Sequence, residues 1–153
     1  MDEKAVVEKL QDEFKEIECK IDSEHRISVS VSKDKLLEVA TYIKHELGFM
    51  TPNMCTGIDT TTDIEIIWHI GVIQGPQLIA LRTKTDRDKS LCPSLTAIWR
   101  GLDWHERETY DLLGVNFENH PDLRRILMPD NWEGYPLRED YIYKKPKYRK
   151  LED

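Results

Sequence analysis

Residues 106–141 constrain the fold of this chain more than any other stretch of it. About a quarter of the protein is a dense mixture of carboxylates, arginines, aromatic residues and turn residues. An ordinary solvated surface does not need Trp, Tyr, His and Arg beside so many carboxylates, whereas buried polar groups need partners for each charge and hydrogen bond. The composition therefore predicts a polar network that clamps a loop onto a helix.

The helix of this network is predicted to lie between Asp103 and Gly114. Asp103 can cap its first turn, and Glu106, three positions later, can reach back to it in an Asp version of the capping box. Gly114 stands where a helix needs a left-handed residue to stop.

One face of this helix combines apolar and acidic residues. At about 100° per residue, Trp104, Glu108, Asp111 and Leu112 lie on the same side. Burial of the Trp and Leu side chains would draw both carboxylates partly out of water, where they need a cation and hydrogen bonds. Arginine suits this role because it can bind a carboxylate through two parallel hydrogen bonds. The candidate partners are Arg107, Arg124 and Arg125.

Two interpretations of these polar residues stay open. In the first, the carboxylates of the helix only fix the fold of this chain. In the second, the loop that follows contacts a partner protein, because its prolines and glycine restrict it while it presents arginines and aromatic residues typical of interface anchors. We expect this contact for Arg124, Arg125 and Arg138.

A catalytic interpretation is weaker. Glu106, Glu108, Asp111 and His120 could supply acid and base groups if they converged on a cleft. The chain has no motif for a Ser or Cys nucleophile, and it has no glycine-rich loop for a nucleotide or flavin. A small independent enzyme is therefore a secondary hypothesis.

The residues before this segment predict three helices. Apolar residues recur at helical spacing over residues 3–15, and again from Asp34, a possible cap, to Gly48. Another helix is predicted to open at Pro93 and Ser94, with Leu95, Ile98, Trp99 and Leu102 on one side.

Alternating and β-branched residues predict the strands. The segments are residues 26–31, 64–73 and 78–83, with a hairpin turn at 74–77 and an extended stretch over 49–58 interrupted by Pro52. The order predicts an α+β fold: a small, mainly antiparallel sheet with helices on one face, followed by an extended loop-rich C-terminal segment.

We expect one domain over residues 1–141 and a basic C-terminal tail over residues 142–153. The tail is either simply solvated or lies along an acidic partner or anionic lipid headgroups. Its basic residues are Lys144, Lys145, Lys147, Arg149 and Lys150.

Composition excludes several classes of protein. With 153 residues, 39% of them apolar, the chain can bury the core of one domain. Its formal charge of −7 argues against nonspecific binding of nucleic acid. No apolar run is long enough to span a bilayer. The widely spaced Cys19, Cys55 and Cys92 predict neither a disulfide framework nor an iron–sulfur or zinc site built by this chain alone.

The motif at the start of the segment resembles that of a known family. Glu106-Arg107-Glu108, then Asp111, Leu112-Leu113, His120 and Arg124, closed by Ile126-Leu127, is similar to the signature of the 30-kilodalton subunit of respiratory complex I. The likeness continues through His120-Pro121, Arg124-Arg125 and Gly134-Tyr135-Pro136-Leu137-Arg138, and it is strongest over residues 94–141.

The resemblance implies a subunit without a cofactor, in the peripheral arm of a membrane-bound oxidoreductase of the NADH/quinone or reduced-deazaflavin type. Its partners would be a 49-kilodalton-type large subunit and the small subunit with the last iron–sulfur cluster, near the quinone (or phenazine) site. It would lie on the cytoplasmic face and be attached to the membrane only through the complex. It would support electron transfer coupled to ion translocation. The residues that the resemblance assigns to the signature and the partner interface are Glu106, Arg107, Glu108, Tyr110, Asp111, His120, Pro121, Arg124, Arg125, Trp132, Arg138 and Asp140.

Departures from the common pattern bear on the subtype. The chain is short, and residues 128–132, Met-Pro-Asp-Asn-Trp, resemble those of compact relatives in photosynthetic and archaeal complexes. They also resemble the corresponding residues in subunits of membrane-bound, energy-converting nickel–iron hydrogenases. The first alternative is therefore that the chain is the equivalent subunit of such a hydrogenase. A free-standing protein-binding module is a further one, beside the small enzyme.

Overall fold

The computed structural model describes residues 2–143, which form three α-helices and seven strands. The helices are α1 (Glu3–Glu13), α2 (Lys33–His45) and α3 (Asp103–Leu113), the last preceded by one 3-10 turn (Arg100–Leu102). The strands are β1 (Glu18–Ser23), β2 (Arg26–Ser30), β3 (Thr51–Asp59), β4 (Asp63–Gly71), β5 (Leu78–Asp86), β6 (Leu91–Pro93) and β7 (Asn116–Glu118).

Five strands form one sheet in the order β1-β2-β5-β4-β3. Strands β2 and β5 pair in parallel, and the other neighbours in this sheet are antiparallel. Alternate residues of the central strands, including Ile64, Ile66, Trp68 and Ile70 of β4, are fully buried in one core with apolar residues of the helices. The predicted α+β fold, with helices on one face of a mainly antiparallel sheet, is confirmed.

Several elements lie where the sequence places them. The predicted hairpin joins β4 to β5, with Gly71 opposite Leu78. Pro52 lies within β3, where the register shifts between Pro52 and Met54. Helix α2 ends before Gly48, whose φ of 76° is the left-handed conformation expected there.

Two features at the N-terminal side of the sheet differ from what the sequence predicted. Strand β1 was not predicted, because its residues are polar and mostly exposed and so lack an apolar alternation. The N-cap of α2 is Ser32 rather than Asp34. Asp34 lies in the first turn, where its negative charge interacts favourably with the positive end of the helix dipole.

The prediction of a helix that begins at Pro93 and Ser94 is also wrong. Pro93 ends β6, which pairs in parallel with β7, and the N–H of Ser94 donates to the carbonyl of Glu118 over 3.0 Å. A single turn follows, in which the N–H of Trp99 donates to the carbonyl of Leu95. Both of these residues are buried, so the helical spacing of apolar residues was real although no helix forms.

The basic residues expected in the C-terminal tail, from Lys144 onward, lie outside the described residues. Within residues 2–143, no helix combines the length and the apolar character needed to cross a membrane.

Candidate functional site

Helix α3 carries five of the twelve signature residues, and the face that it buries agrees only in part with the one predicted. Its buried residues are Glu106, Arg107, Thr109, Asp111 and Leu113. Of the four residues expected on the buried face, Asp111 is buried and Leu112 is half-buried, but Trp104 is 70% exposed and Glu108 is exposed. The reason is that Thr109 and Leu113 lie against β3, near Gly57, which turns Trp104 away from the sheet.

Asp111 is the centre of the predicted polar network. One carboxylate oxygen, Oδ2, accepts hydrogen bonds from the backbone N–H groups of Ile126, Leu127 and Met128 at 3.0, 2.7 and 2.8 Å. The other, Oδ1, accepts from the guanidinium of Arg125 at 2.7 Å. Burial by itself raises the pKa of Asp111, but these donors outweigh it and the pKa lies below its usual value. The loop is therefore clamped onto the helix by an ionised carboxylate.

Arg125 connects this carboxylate to a second turn of the loop. Its Nη1 also donates to the backbone oxygen of Asp111, and its Nη2 donates to the backbone oxygens of Trp132 and Gly134 at 3.2 and 3.1 Å. Its guanidinium lies 5.4 Å from the centre of the Tyr135 ring. The sequence predicted the pairing of Asp111 with a nearby arginine, and Arg125 is that arginine.

Arg138 binds the C-terminal end of α3. Its Nε donates to the carbonyl of Leu113 at 2.7 Å, and its Nη2 donates to the hydroxyl of Ser90 at 3.2 Å. Its guanidinium lies 5.0 Å from the centre of the Tyr135 ring, so two cations contact this one aromatic residue. Gly114 has a φ of 77°, and a Cβ there would lie 2.5 Å from the Tyr135 ring.

Arg107 and Arg124 have unequal roles. Arg107 is buried and donates to the backbone oxygens of Arg124 and Arg125, at 3.2 and 3.5 Å. Arg124 is 71% exposed and pairs with Asp122 at 2.9 Å. The contact of Arg124, Arg125 and Arg138 with a partner stays a prediction, and of the three it is Arg124 whose side chain faces solvent.

His120 is a structural residue of the turn after β7. Its side chain is fully buried, and its Nδ1 accepts from the N–H of Asp122 at 3.1 Å. This bond assigns the proton to Nε2, which then donates to the backbone oxygen of Asp103 at 3.2 Å. Pro121 beside it is exposed, and Tyr110 on α3 is half-buried.

Glu106 does not form the predicted capping box. Its carboxylate accepts from the indole N–H of Trp68, the hydroxyl of Ser94 and the N–H of Leu95, at 3.1, 2.6 and 2.9 Å. Helix α3 continues directly from a 3-10 turn and has no side-chain cap, because Asp103 is its first residue. Burial raises the pKa of Glu106 to about 7, and these hydrogen bonds offset part of that effect.

The raised pKa of Glu106 predicts a pH dependence of stability. The folded chain binds a proton at this group more tightly than the unfolded chain, so the free energy of unfolding falls as pH rises from about 4.5 to about 7. The full effect is about 3 kcal/mol. In Glu106→Gln the amide has nearly the shape of the carboxylate but does not titrate. The free energy of unfolding of this variant should therefore lack the fall caused by Glu106 over this pH range.

Urea unfolding of both proteins at several pH values checks this prediction. His69, whose pKa burial lowers, contributes with the opposite sign below pH 6.5, so the difference between the two proteins is the quantity to follow. Parallel curves for wild type and Glu106→Gln from pH 4.5 to 8 would show that Glu106 does not titrate there.

A second ionic network ties the C-terminal segment to the sheet. Arg87 donates to both oxygens of Asp59, at 2.8 and 2.9 Å, and to both oxygens of Asp140, at 2.6 and 3.2 Å. The N–H of Glu139 also donates to Asp59. The bonds from Arg87 hold the pKa of Asp59 well below its usual range. Sequence reasoning identified Asp140 but missed Asp59 and Arg87.

Two of the three candidate acid and base carboxylates on α3 lie where a substrate cannot contact them. Glu106 and Asp111 are both fully buried, and their oxygens are occupied by donors from the chain itself. Burial and the nearby Glu106 carboxylate raise the pKa of Cys55 and Cys92. Among residues 2–143, no three His, Cys, Asp or Glu side chains are grouped as a metal site would need.

The outward surface of the C-terminal segment is apolar at several points. Leu127, Leu137, Ile142 and Tyr143 are 59%, 60%, 79% and 62% exposed. The half-buried Trp132 lies beside them, with its ring centre 6.1 Å from that of Tyr143. The site thus combines an inner polar clamp with an outer apolar surface.

Comparison of the sequence with known families gives a match over residues 29–147. The matching family is described as "Respiratory-chain NADH dehydrogenase, 30 Kd subunit". A subunit of the F(420)H(2) dehydrogenase of Methanosarcina mazei is 36% identical over 146 residues, which are 92% of each chain. A subunit of the NADH-quinone oxidoreductase of Moorella thermoacetica is 41% identical over 113 residues, which are 72% of this chain and 76% of that one.

Two solved structures share the fold. A chain of the membrane-bound sulfane sulfur reductase, an archaeal respiratory membrane complex, superposes with a TM-score of 0.79 over 98% of both chains. A trypsin-resistant fragment of a protein named Nqo5 superposes with a TM-score of 0.69, over 80% of this chain and all of the fragment. Both are 23% identical to this chain.

Proposed function

Because the chain belongs to the family of the 30-kilodalton subunit of the respiratory-chain NADH dehydrogenase, we propose that it is a structural subunit in the peripheral arm of a complex-I-like oxidoreductase. In this proposal it packs against a 49-kilodalton-type subunit, near the small subunit with the terminal iron–sulfur cluster. It carries no cofactor itself and lies on the cytoplasmic face of the membrane. Its role is to brace the arm of a complex that couples electron transfer to ion translocation.

The observation that carries this proposal is the construction of residues 119–143. Arg125 and Arg138 of this segment donate to Asp111 and to the end of α3, and the backbone N–H of Glu139 donates to Asp59. These bonds fix a chain that lacks helices and strands. Its apolar side chains point outward, Leu127 and Leu137 among them. A loop that is already ordered loses little entropy on binding, and exposed apolar side chains on it favour a protein partner.

The buried carboxylates support the same conclusion over the small-enzyme alternative. Glu106 and Asp111 were two of the four candidates for acid and base groups, and neither reaches a surface that a substrate could contact. A sequence match that covers 92% of the chain is to a subunit of an F(420)H(2) dehydrogenase, which makes a reduced deazaflavin the first electron donor to test and NADH the second.

Affinity purification in mild detergent tests the proposal. We expect the tagged chain, expressed in its native cell, to bring down a large redox subunit, iron–sulfur proteins and membrane subunits, with iron in the eluate. The eluate is then assayed with the reduced deazaflavin and with NADH. Nickel in the eluate would assign the complex to the hydrogenase alternative, and a chain that elutes alone and without metal would overturn the proposal.

A variant tests the surface to which the partner is assigned. Leu127→Asp combined with Leu137→Asp should leave the melting temperature of the chain within about 2 °C, because both side chains are exposed. It should remove most of the co-eluting subunits, because the charges would be buried at the interface. The matched control is Leu37→Asp on α2, which is 42% exposed and lies away from this segment. Equal co-elution of both variants would place the interface elsewhere.

A further inference from the structure

The two edges of the five-stranded sheet differ in charge. Edge strand β1 carries Glu18, Lys20 and Asp22, and such charges protect an edge from pairing with another strand. Edge strand β3 is nine residues long, and it has no Asp, Glu, Lys or Arg before its last residue, Asp59. The edge formed by β3 therefore lacks the charged residues that protect β1.

Within residues 2–143, the backbone of β3 has no strand partner along this edge. In the described part of the chain, β3 forms backbone hydrogen bonds with β4 alone. About half of the N–H and C=O groups of β3 therefore point away from the sheet. Pro52 has no N–H, and the register shift beside it interrupts the edge. The regular free run is residues 54–58, in which Met54 and Ile58 are 42% and 47% exposed.

Among residues 2–143, the other elements pack on a face of β3 and form no backbone hydrogen bonds with residues 54–58 along the edge. Helix α3 contacts the face that holds Cys55 and Gly57, through Thr109 and Leu113. The side chains of Met54, Thr56 and Ile58 belong to the opposite face, in rows with His69, Ile67 and Glu65 of β4. The C-terminal segment bonds to this strand at its end, where Glu139 donates to Asp59.

We propose that residues 54–58 of β3 accept an extended, uncharged strand from another subunit of the same complex, which adds a sixth strand to the sheet. This inference rests on the proposed function. Main-chain hydrogen bonds would supply affinity, and apolar side chains of the added strand would lie beside Met54 and Ile58. The binding surface is separate from the outer apolar surface of residues 119–143.

Charge and area distinguish this occupant from two others. Residues 144–153 of the chain itself carry five Lys or Arg and a Pro, which do not match a neutral edge. A second copy could pair with residues 54–58 over five residues, which is far below the roughly 1,000 Å² that a stable interface needs. A strand from a larger protein of the complex has no such limit, since that protein can make further contacts.

Hydrogen exchange and edge charges test the inference together. In the purified complex, the amides of residues 54–58 that point outward should exchange at least about tenfold more slowly than in the isolated full chain. Met54→Lys combined with Ile58→Lys should reduce co-elution of the neighbouring subunit about tenfold and leave the melting curve of the isolated chain unchanged. Leu37→Lys, at the similarly exposed position on α2, is the control.

The outcomes separate this inference from the proposed function. A complex that forms normally with the double Lys variant, or equal exchange at residues 54–58 in the complex and the isolated chain, overturns the strand addition and leaves the proposed function intact. Slow exchange in the isolated chain that becomes fast when residues 144–153 are removed assigns the edge to the tail instead. Slow exchange that becomes fast on dilution of a dimer assigns the edge to a second copy. A wild-type chain that brings down no other protein of such a complex overturns both.

Discussion

Replacing Asp111 by Ala is expected to lower the free energy of unfolding by about 3–5 kcal/mol. The side chain is fully buried, and its loss leaves the guanidinium of Arg125 without its carboxylate in a half-buried site. It also removes the acceptor for three consecutive backbone N–H groups, those of Ile126, Leu127 and Met128. Each such donor left without a partner is destabilising in its own right.

Denaturant unfolding of the isolated chain measures this loss, and two variants make the result specific. Asp111→Asn keeps the shape but not the charge, so it should show a smaller but still clear loss. Asp122→Ala removes an exposed carboxylate that pairs with Arg124, and it should change stability by less than about 1 kcal/mol. A midpoint for Asp111→Ala equal to that of Asp122→Ala would show that the clamp does not stabilise the chain.

The same network shows how far the sequence could predict the site. A carboxylate on a predicted helix, followed by a loop rich in arginine, was enough to predict an ion pair between Asp111 and an arginine. The choice of Arg125 over Arg107 and Arg124 depends on the path of the loop, which propensity and periodicity do not specify. Arg107 instead binds backbone oxygens of that loop.

Contacts between distant residues were beyond prediction from a single sequence. Arg87 lies 28 residues from Asp59 and 53 from Asp140, and no local pattern marks these three as partners. Glu106 was expected to bond locally at the helix start, but its partners Trp68 and Ser94 come from other elements. In both cases the tertiary fold, rather than the local sequence, decides the hydrogen bonds.

For the fold, strong periodic signals gave correct elements and weak ones did not. The apolar spacing of α2 and the turn residues before β5 identified a helix and a hairpin correctly. Strand β1 exposes most of its side chains and so has no pattern to detect. Residues 94–99 have helical spacing, but β6 and its pairing with β7 hold the chain in another conformation.

Gly114→Ala is expected to lower the free energy of unfolding by about 3 kcal/mol, through two separate effects. The left-handed φ of 77° is unfavourable for any residue with a Cβ, by about 1–2 kcal/mol. The new methyl group would also lie 2.5–2.7 Å from three carbons of the Tyr135 ring, which must then move. Overpacking of this kind adds about 1–3 kcal/mol.

Gly48→Ala separates these two effects, because Gly48 has nearly the same φ, 76°, and a Cβ there would meet no atom within 4 Å. This control should therefore show the backbone effect alone, at about 1 kcal/mol. The additional loss in Gly114→Ala measures the contact of Tyr135 with the end of α3. Displacement of that ring also removes the surface on which Arg125 and Arg138 lie, so the variant should expose the amides of residues 126–128 to faster hydrogen exchange. Equal destabilisation by the two substitutions, with unchanged exchange at these amides, would show that the Tyr135 contact does not hold the C-terminal segment in place.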